Sequence, residues 1–367
     1  MRSRWAWRGI WKHSLSDDAD DKVAIVGHHG LRKHGAPPRL RSMQTPLDLN
    51  PQAGNLRSAV RNRLVKTVFA EPVSLYGKTA IVTGAALGSL GFETARVLAS
   101  WGATVIVTVR ADTGPVVSAL KRLLGAETPS IDGHPLDLAH RESVAEFVGW
   151  VRSTHPNIDV LVNNAGVHLD LVSRWKEPKL TSDGFETHWR INYLGTAHLT
   201  HQLLPVLLGR AQTTGDARVV NVSSHLHERG ANADLFGATR KYSSWNAYGN
   251  SKLALVHMAN ELERRHGEAG LRAYSLHPGS VCTNVAARGL EDIPRLMRLR
   301  NALIPIESFF LKSPLEGAQT QVHCASRPGL CGGLYYQECE PIAPSEDSEN
   351  AEVASRLWDT TVDWIEA

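Results

Sequence analysis

Apolar and polar positions fall into two kinds of block along the chain. Thr79-Ala80-Ile81-Val82-Thr83, Thr104 to Val109, Asp159-Val160-Leu161-Val162, Arg218-Val219-Val220-Asn221-Val222 and Arg272 to His277 are short, largely apolar and rich in β-branched residues. Such near-continuous runs predict strands buried on both faces. Between them, Phe92 to Trp101 (closed by Gly102), Arg141 to Ser153, Phe185 to Leu208 and Trp245 to about Arg265 repeat their apolar residues at helical spacing. The alternation predicts an α/β fold, a doubly wound parallel sheet in one domain. In such sheets ligands bind beyond the carboxyl ends of the strands, where Gly84, Asn163, Ser224 and Pro278 fall.

The pattern is absent upstream. Residues 1–70 read as an extension that is disordered, and residues 71–367 as the folded domain. Trp5, Trp7 and Trp11 alternate with Arg2, Arg4, Arg8 and Lys12, resembling the start of an amphipathic mitochondrial targeting peptide. The acidic cluster Asp17 to Asp21 and the polar run to Pro51 have the composition of a disordered segment. Val23-Ala24-Ile25-Val26-Gly27 imitates a strand entering a glycine turn, but Pro37-Pro38 stops any following helix.

Composition refines this picture. The 367 residues are 42% hydrophobic and 21% charged, ordinary for a globular protein. The formal charge of +3 is uneven: residues 1–66 hold 13 Lys and Arg against 5 Asp and Glu, net +8, which leaves −5 for the remainder. The domain therefore has no reason to bind nucleic acid. No apolar run reaches the length of a membrane span. Cys282, Cys324, Cys331 and Cys339 lack disulfide-pattern or zinc-ligand spacing, so no metal site and a reducing, cytoplasmic setting are expected.

Three features carry candidate chemistry. Tyr248 and Lys252 lie four apart on a helix and so share a face, where a cation could lower the phenol pKa and make Tyr248 a general acid/base. Thr83 to Gly91 joins a strand to a helix through Gly84, Gly88 and Gly91, an arrangement that sets backbone N–H groups against a pyrophosphate. At the end of the second strand stands Arg110 and no acid, which favours the 2′-phosphate of NADP over NAD. Ser224 with His225, His227 or His277 could also suggest a serine hydrolase, but the Gly-x-Ser-x-Gly elbow is missing.

As a set, Thr83-Gly84 with the later glycines, Asn163-Asn164-Ala165-Gly166, Ser224, Tyr248-x-x-x-Lys252 and Pro278-Gly279-x-Val281-x-Thr283 resemble the short-chain dehydrogenases/reductases, with a Rossmann-type fold, over about Gly77 to Glu366. Thr181-Ser182-Asp183-Gly184-Phe185-Glu186, Ser251-Lys252-Leu253-Ala254 and Glu316-Gly317-Ala318-Gln319-Thr320 look like the retinol-dehydrogenase-like branch. The resemblance implies hydride transfer between NADP(H) and the carbonyl or carbinol carbon of a small lipophilic aldehyde, ketone or alcohol. It implies that Tyr248 exchanges the proton, Ser224 bonds the substrate oxygen, Lys252 lowers the Tyr248 pKa and holds the nicotinamide ribose, and Asn192 continues a proton relay to Lys252. It places Asp137 at the adenine, Asn164, Ala165 and Gly166 on the adenosine side, and Pro278, Val281 and Thr283 at the nicotinamide. A homodimer or a monomer fits equally well.

The glycine loop departs from the family's Thr-Gly-x-x-x-Gly-x-Gly by one extra residue between Gly88 and Gly91. This predicts a bulge at Ser89 whose hydroxyl caps the helix, with Leu90 packed inward and dinucleotide binding weakened. Two readings stay open: an active oxidoreductase, and a catalytically weak or cofactor-free binding protein that kept the fold. Between Asn284 and Ser313, Leu290, Ile293, Leu296, Met297, Phe309 and Phe310 suggest either a lid over an apolar pocket with peripheral membrane contact, or ordinary core and dimer packing.

Overall fold

The computed structural model describes residues 68–125, 129–237, 240–281 and 311–367. Eight strands form one sheet in the order β3-β2-β1-β4-β5-β6-β7-β8: β1 Thr79–Val82, β2 Thr104–Val107, β3 Ile131–Gly133, β4 Val160–Asn163, β5 Ala217–Val222, β6 Leu271–His277, β7 Tyr335–Gln337 and β8 Glu340–Ile342. All neighbours are parallel except β7 and β8. In register, Val82 lies between Val107 of β2 and Val162 of β4. The strand order therefore reverses at β1, and the crevice between the β1 and β4 carboxyl ends is the switch point that a doubly wound sheet offers to ligands.

Every residue of β4 and β5 is buried, as continuous apolar strands require when helices cover both faces. The helices are α1 Leu90–Ser100, α2 Gly114–Leu124, α3 Arg141–Thr154, α4 Gly195–Thr214, α5 Ser244–His266, α6 Pro314–Ser326 and α7 Ala351–Glu366. One core joins Ile81, Ile106 and Leu161 to Phe147 of α3, Leu203 of α4, Leu255 of α5 and Trp358 of α7. The other joins Val82, Val105 and Val162 to Leu98 of α1, Leu120 of α2 and Val322 of α6.

The expected long helix from Phe185 is two elements. Trp189–Leu194 is a π-helical turn, and α4 proper begins at Gly195. A Cβ at Gly195 would lie 2.2 Å from Leu138 O, so close approach to the β3–α3 loop fixes that junction as glycine. The sheet also contains β3, β7 and β8, which the hydrophobic pattern did not announce. Ala70 is already buried, its N–H on Gln319 Oε1 at 3.1 Å. The expected extension otherwise lies outside the described residues, as do Thr283 and nearly all of the expected lid.

Candidate active site

The glycine loop begins where β1 ends. Gly84 and Gly88 have φ of 68° and 72°, conformations that side chains rarely adopt. A Cβ on Gly84 would meet Ala165 Cα at 2.8 Å, so this glycine lets the loops after β1 and β4 touch. A Cβ on Gly91 would lie 2.5 Å from Asn164 Nδ2 and 2.9 Å from Gly84 O. Gly91 thus seats the first turn of α1 on the strand ends. Thr83 Oγ1 ties the two loops together, accepting from the N–H groups of Asn164 and Ala165 at 3.0 Å each.

The extra residue is accommodated as a cap. Ser89 Oγ accepts from Phe92 N at 3.1 Å and donates to Gly84 O at 3.2 Å, closing the loop on itself. Helix α1 consequently starts at Leu90, two residues before the helical periodicity placed it. Leu90 is half-buried, with Cδ2 against Gly317 of α6. Beside this loop opens a cavity of about 540 Å³ whose walls include Gly84, Ser89, Arg110, Asp112, Asp137, Asn164, Ala165 and Gly166. Its lining combines the glycine loop before a helix N-terminus with an arginine, a donor set that fits a dinucleotide's pyrophosphate and ribose. Arg110 is exposed; Asp112 is turned onto Gly114 N at 2.9 Å, while Asp137 accepts from Ala139 N at 2.9 Å. The Asn164 amide is spent on structure, donating to Thr83 O at 2.7 Å and accepting from Gln321 Nε2 at 3.2 Å.

Farther along the same edge, β5 delivers Ser224 and α5 delivers Tyr248 and Lys252. Burial pushes the Tyr248 phenol up to about 12, and a hydrogen bond with Ser224 pulls it partly back. Burial lowers Lys252 to about 8; its ammonium donates to Val222 O at 2.9 Å and lies 5.6 Å from the Tyr248 ring centroid. In this structure burial dominates the phenol, and the neighbouring group that lowers it is Ser224.

Asn192 sits in the π-turn, fully buried. Its Oδ1 accepts from Val167 N at 2.8 Å, and its Nδ2 donates to Val167 O at 3.0 Å and to Ser251 Oγ at 3.1 Å. It thus pins the loop after β4 to α5, and these bonds do not include Lys252. Gly166 separates the two: a Cβ there would stand 3.1 Å from Lys252 Nζ and 3.4 Å from Asn192 Oδ1. Pro278 and Gly279 follow β6, Gly279 with φ of 87°, and Val281 bridges to Lys312. The histidines near Ser224 are engaged elsewhere: His227 with Ser224 O and Ser345 N, His277 Nδ1 with His225 N. Sequence reasoning did not single out His168, stacked on Tyr248 at 4.4 Å, or His188 behind it. Their place in the loop after a strand's carboxyl end and in the following turn was the available signal.

The comparisons agree with this fold. The family model for "short chain dehydrogenase" matches residues 78–293. Human retinol dehydrogenase 12 is 35% identical over 311 residues, covering 84% of this chain and 92% of its own length. Human retinol dehydrogenase 13 is 35% identical over 288 residues, covering 77% and 82%. Among solved structures, the Pseudomonas aeruginosa RhlG/NADP active-site complex is similar with a TM-score of 0.54 at 23% identity, covering 72% of this chain and 96% of that one. L-sorbose reductase from Gluconobacter frateurii, complexed with NADPH and L-sorbose, gives 0.53 at 19%, covering 76% and 100%. The chain belongs to the short-chain dehydrogenase family.

Proposed function

We propose that the protein reduces or forms a carbonyl on a lipophilic aldehyde, ketone or alcohol, with NADP(H) as the hydride carrier. The observation that carries this reading is the juxtaposition of Ser224 and Tyr248 at the sheet's carboxyl edge, with Lys252 buried one helical turn along. When bound, the nicotinamide cofactor supplies or accepts the hydride. The chain's own residues handle the proton and the charge. Tyr248 gives its phenolic proton to the substrate oxygen during reduction and takes it back during oxidation. Ser224 donates a hydrogen bond to that oxygen as charge develops, a preorganised contact rather than one assembled during the reaction. Lys252, with one of its three N–H groups on Val222 O, faces the Gly166 side, where it would hold the ribose.

Gly84, Gly88, Gly91, Ala165 and Gly166 would form the phosphate and adenosine wall, with Asp137 at the adenine and Arg110 at the 2′-phosphate. Pro278, Val281 and Thr283 would meet the nicotinamide side. The relatives' names, retinol dehydrogenases, support a lipophilic substrate. Fluorescence titration with NADPH and NADH tests the cofactor assignment. NADPH should bind at least tenfold tighter, a margin of ~1.4 kcal/mol, and Arg110→Ala should erase the margin. Equal affinities would contradict the role of Arg110, and no binding of either would favour the cofactor-free reading.

A further inference from the structure

One buried group beside the phenol has no part in the chemistry above. His168 is 3% exposed, and its ring lies nearly parallel to that of Tyr248, with centroids 4.4 Å apart and planes 13° apart. Trp245 meets the imidazole edge to face at 4.7 Å, and His188 does so at 5.6 Å. The segment that carries His168 is anchored on both sides. Val167 exchanges two hydrogen bonds with Asn192, Leu169 N donates to His188 Nε2 at 3.0 Å, and Ser244 Oγ donates to Asp170 O at 2.9 Å. Because His188 Nε2 accepts, its proton is on Nδ1, which donates to Glu186 Oε1 at 2.7 Å. That same carboxylate oxygen accepts from Tyr242 OH at 3.2 Å. Moving the backbone at His168 away from the phenol would break this set of bonds, and the ring itself is confined between Tyr248, Trp245 and His188.

The choice of residue is costly. His168 Nε2 is buried without a protein partner, which disfavours folding relative to a paired group. A leucine would fill the space without that cost, so apolar packing alone does not select a planar ring. Burial, with help from His188, lowers its pKa to about 3, so the ring is neutral at working pH and adds no charge beside Lys252. What remains is a flat surface at stacking distance. The terminal torsion of a tyrosine is broad, whereas proton transfer requires the O–H within hydrogen-bond reach of the reacting oxygen.

We infer that His168 is a positioning residue for Tyr248: its clamped ring fixes the plane of the phenol and so the direction in which the hydroxyl presents its proton. The inference rests on the proposed role of Tyr248, so its test has one arm that needs no turnover. In ring-labelled tyrosine NMR, with the Tyr248 signal assigned through Tyr248→Phe, the parent should show the upfield shift of a stacked ring. His168→Leu, which keeps bulk without a plane, should lose that shift. His168→Phe should retain it.

In steady-state kinetics His168→Leu should lower kcat about tenfold or more with NADPH affinity unchanged, and His168→Phe should return to within about threefold of the parent. If the leucine variant does not fold, His168→Gln, polar but without a ring, takes its place with the same expectations. Parent-like kcat in the leucine or glutamine variant, or an unshifted Tyr248 signal in the parent, would overturn the inference. So would a phenylalanine variant as impaired as leucine, because the nitrogen rather than the plane would then matter. A parent that shows the stacked signal but reduces no carbonyl would instead count against the proposed function.

Discussion

Burial acts on the Tyr248 phenol and the Lys252 ammonium in opposite directions, and each leaves a trace in stability. Lys252 falls from its ordinary 10.5 to about 8, so between those values the unfolded chain binds a proton that the folded chain has released. Stability therefore rises with pH through that window, and below about pH 8 the full cost of burying the cation is present. Tyr248, raised from 10.0 to about 12, works the other way: stability falls as pH rises across that interval. Lys252→Met should remove the first effect. Denaturant unfolding at pH 7.5 and 9.5 should show the parent gaining about 2 kcal/mol more than the variant over that step. An equal change in both would mean that Lys252 is solvated in the folded state. At this scale the sequence showed which residues share a helix face, but not the desolvation that sets their protonation, because burial depends on elements far away in the chain.

Two elements deserve separate expectations. Ser89 makes the long glycine loop self-consistent by capping α1, so Ser89→Ala should cost about 1 kcal/mol in chemical denaturation. Deleting Ser89 restores the family spacing but also removes the cap and the bond to Gly84 O, so a lower Tm and weaker NADPH binding are expected. Tighter binding by the deletion variant would show instead that the extra residue holds the phosphates off. Helix α7 closes the core over α4 and α5 through Leu357 and Trp358, with Tyr193 OH bonded to Thr361 Oγ1 at 2.8 Å. Trp358→Ala, at 6% exposure, should destabilise by about 3–5 kcal/mol; a loss under about 1 kcal/mol would mean that α7 is not part of the cooperative core. Hydrophobic spacing disclosed α1 and α3 because each has an apolar stripe, and α5 although Ser251 to Ala259 is buried all round. It read the π-turn and α4 as one helix, since one inserted residue barely disturbs the pattern. It passed over β7 and β8 because each has three residues and their connection runs through Glu338 and Cys339 at φ of 53° and 62°, without the Asn-Gly that usually marks such a turn.

For the whole molecule, the parallel sheet follows from buried strands separated by helices, and its switch point follows from the strand order. That architecture brings Gly84, Asn163 and Ser224, 140 positions apart at the extremes, to one edge. The main candidate residues could be placed from the sequence because they follow strand ends or occupy one helix face. The clamp of Asn192, His188 and His168 was not, because its bonds join residues of the β4 loop to the π-turn and α5, which only tertiary packing brings together. The role of Tyr248 is the point on which the functional account turns. Single-turnover and steady-state reduction of a lipophilic aldehyde with NADPH, parent against Tyr248→Phe, tests it directly. The account predicts loss of most of the rate, at least about a hundredfold, with NADPH affinity within about twofold of the parent; turnover at the parent rate in the phenylalanine variant would contradict it.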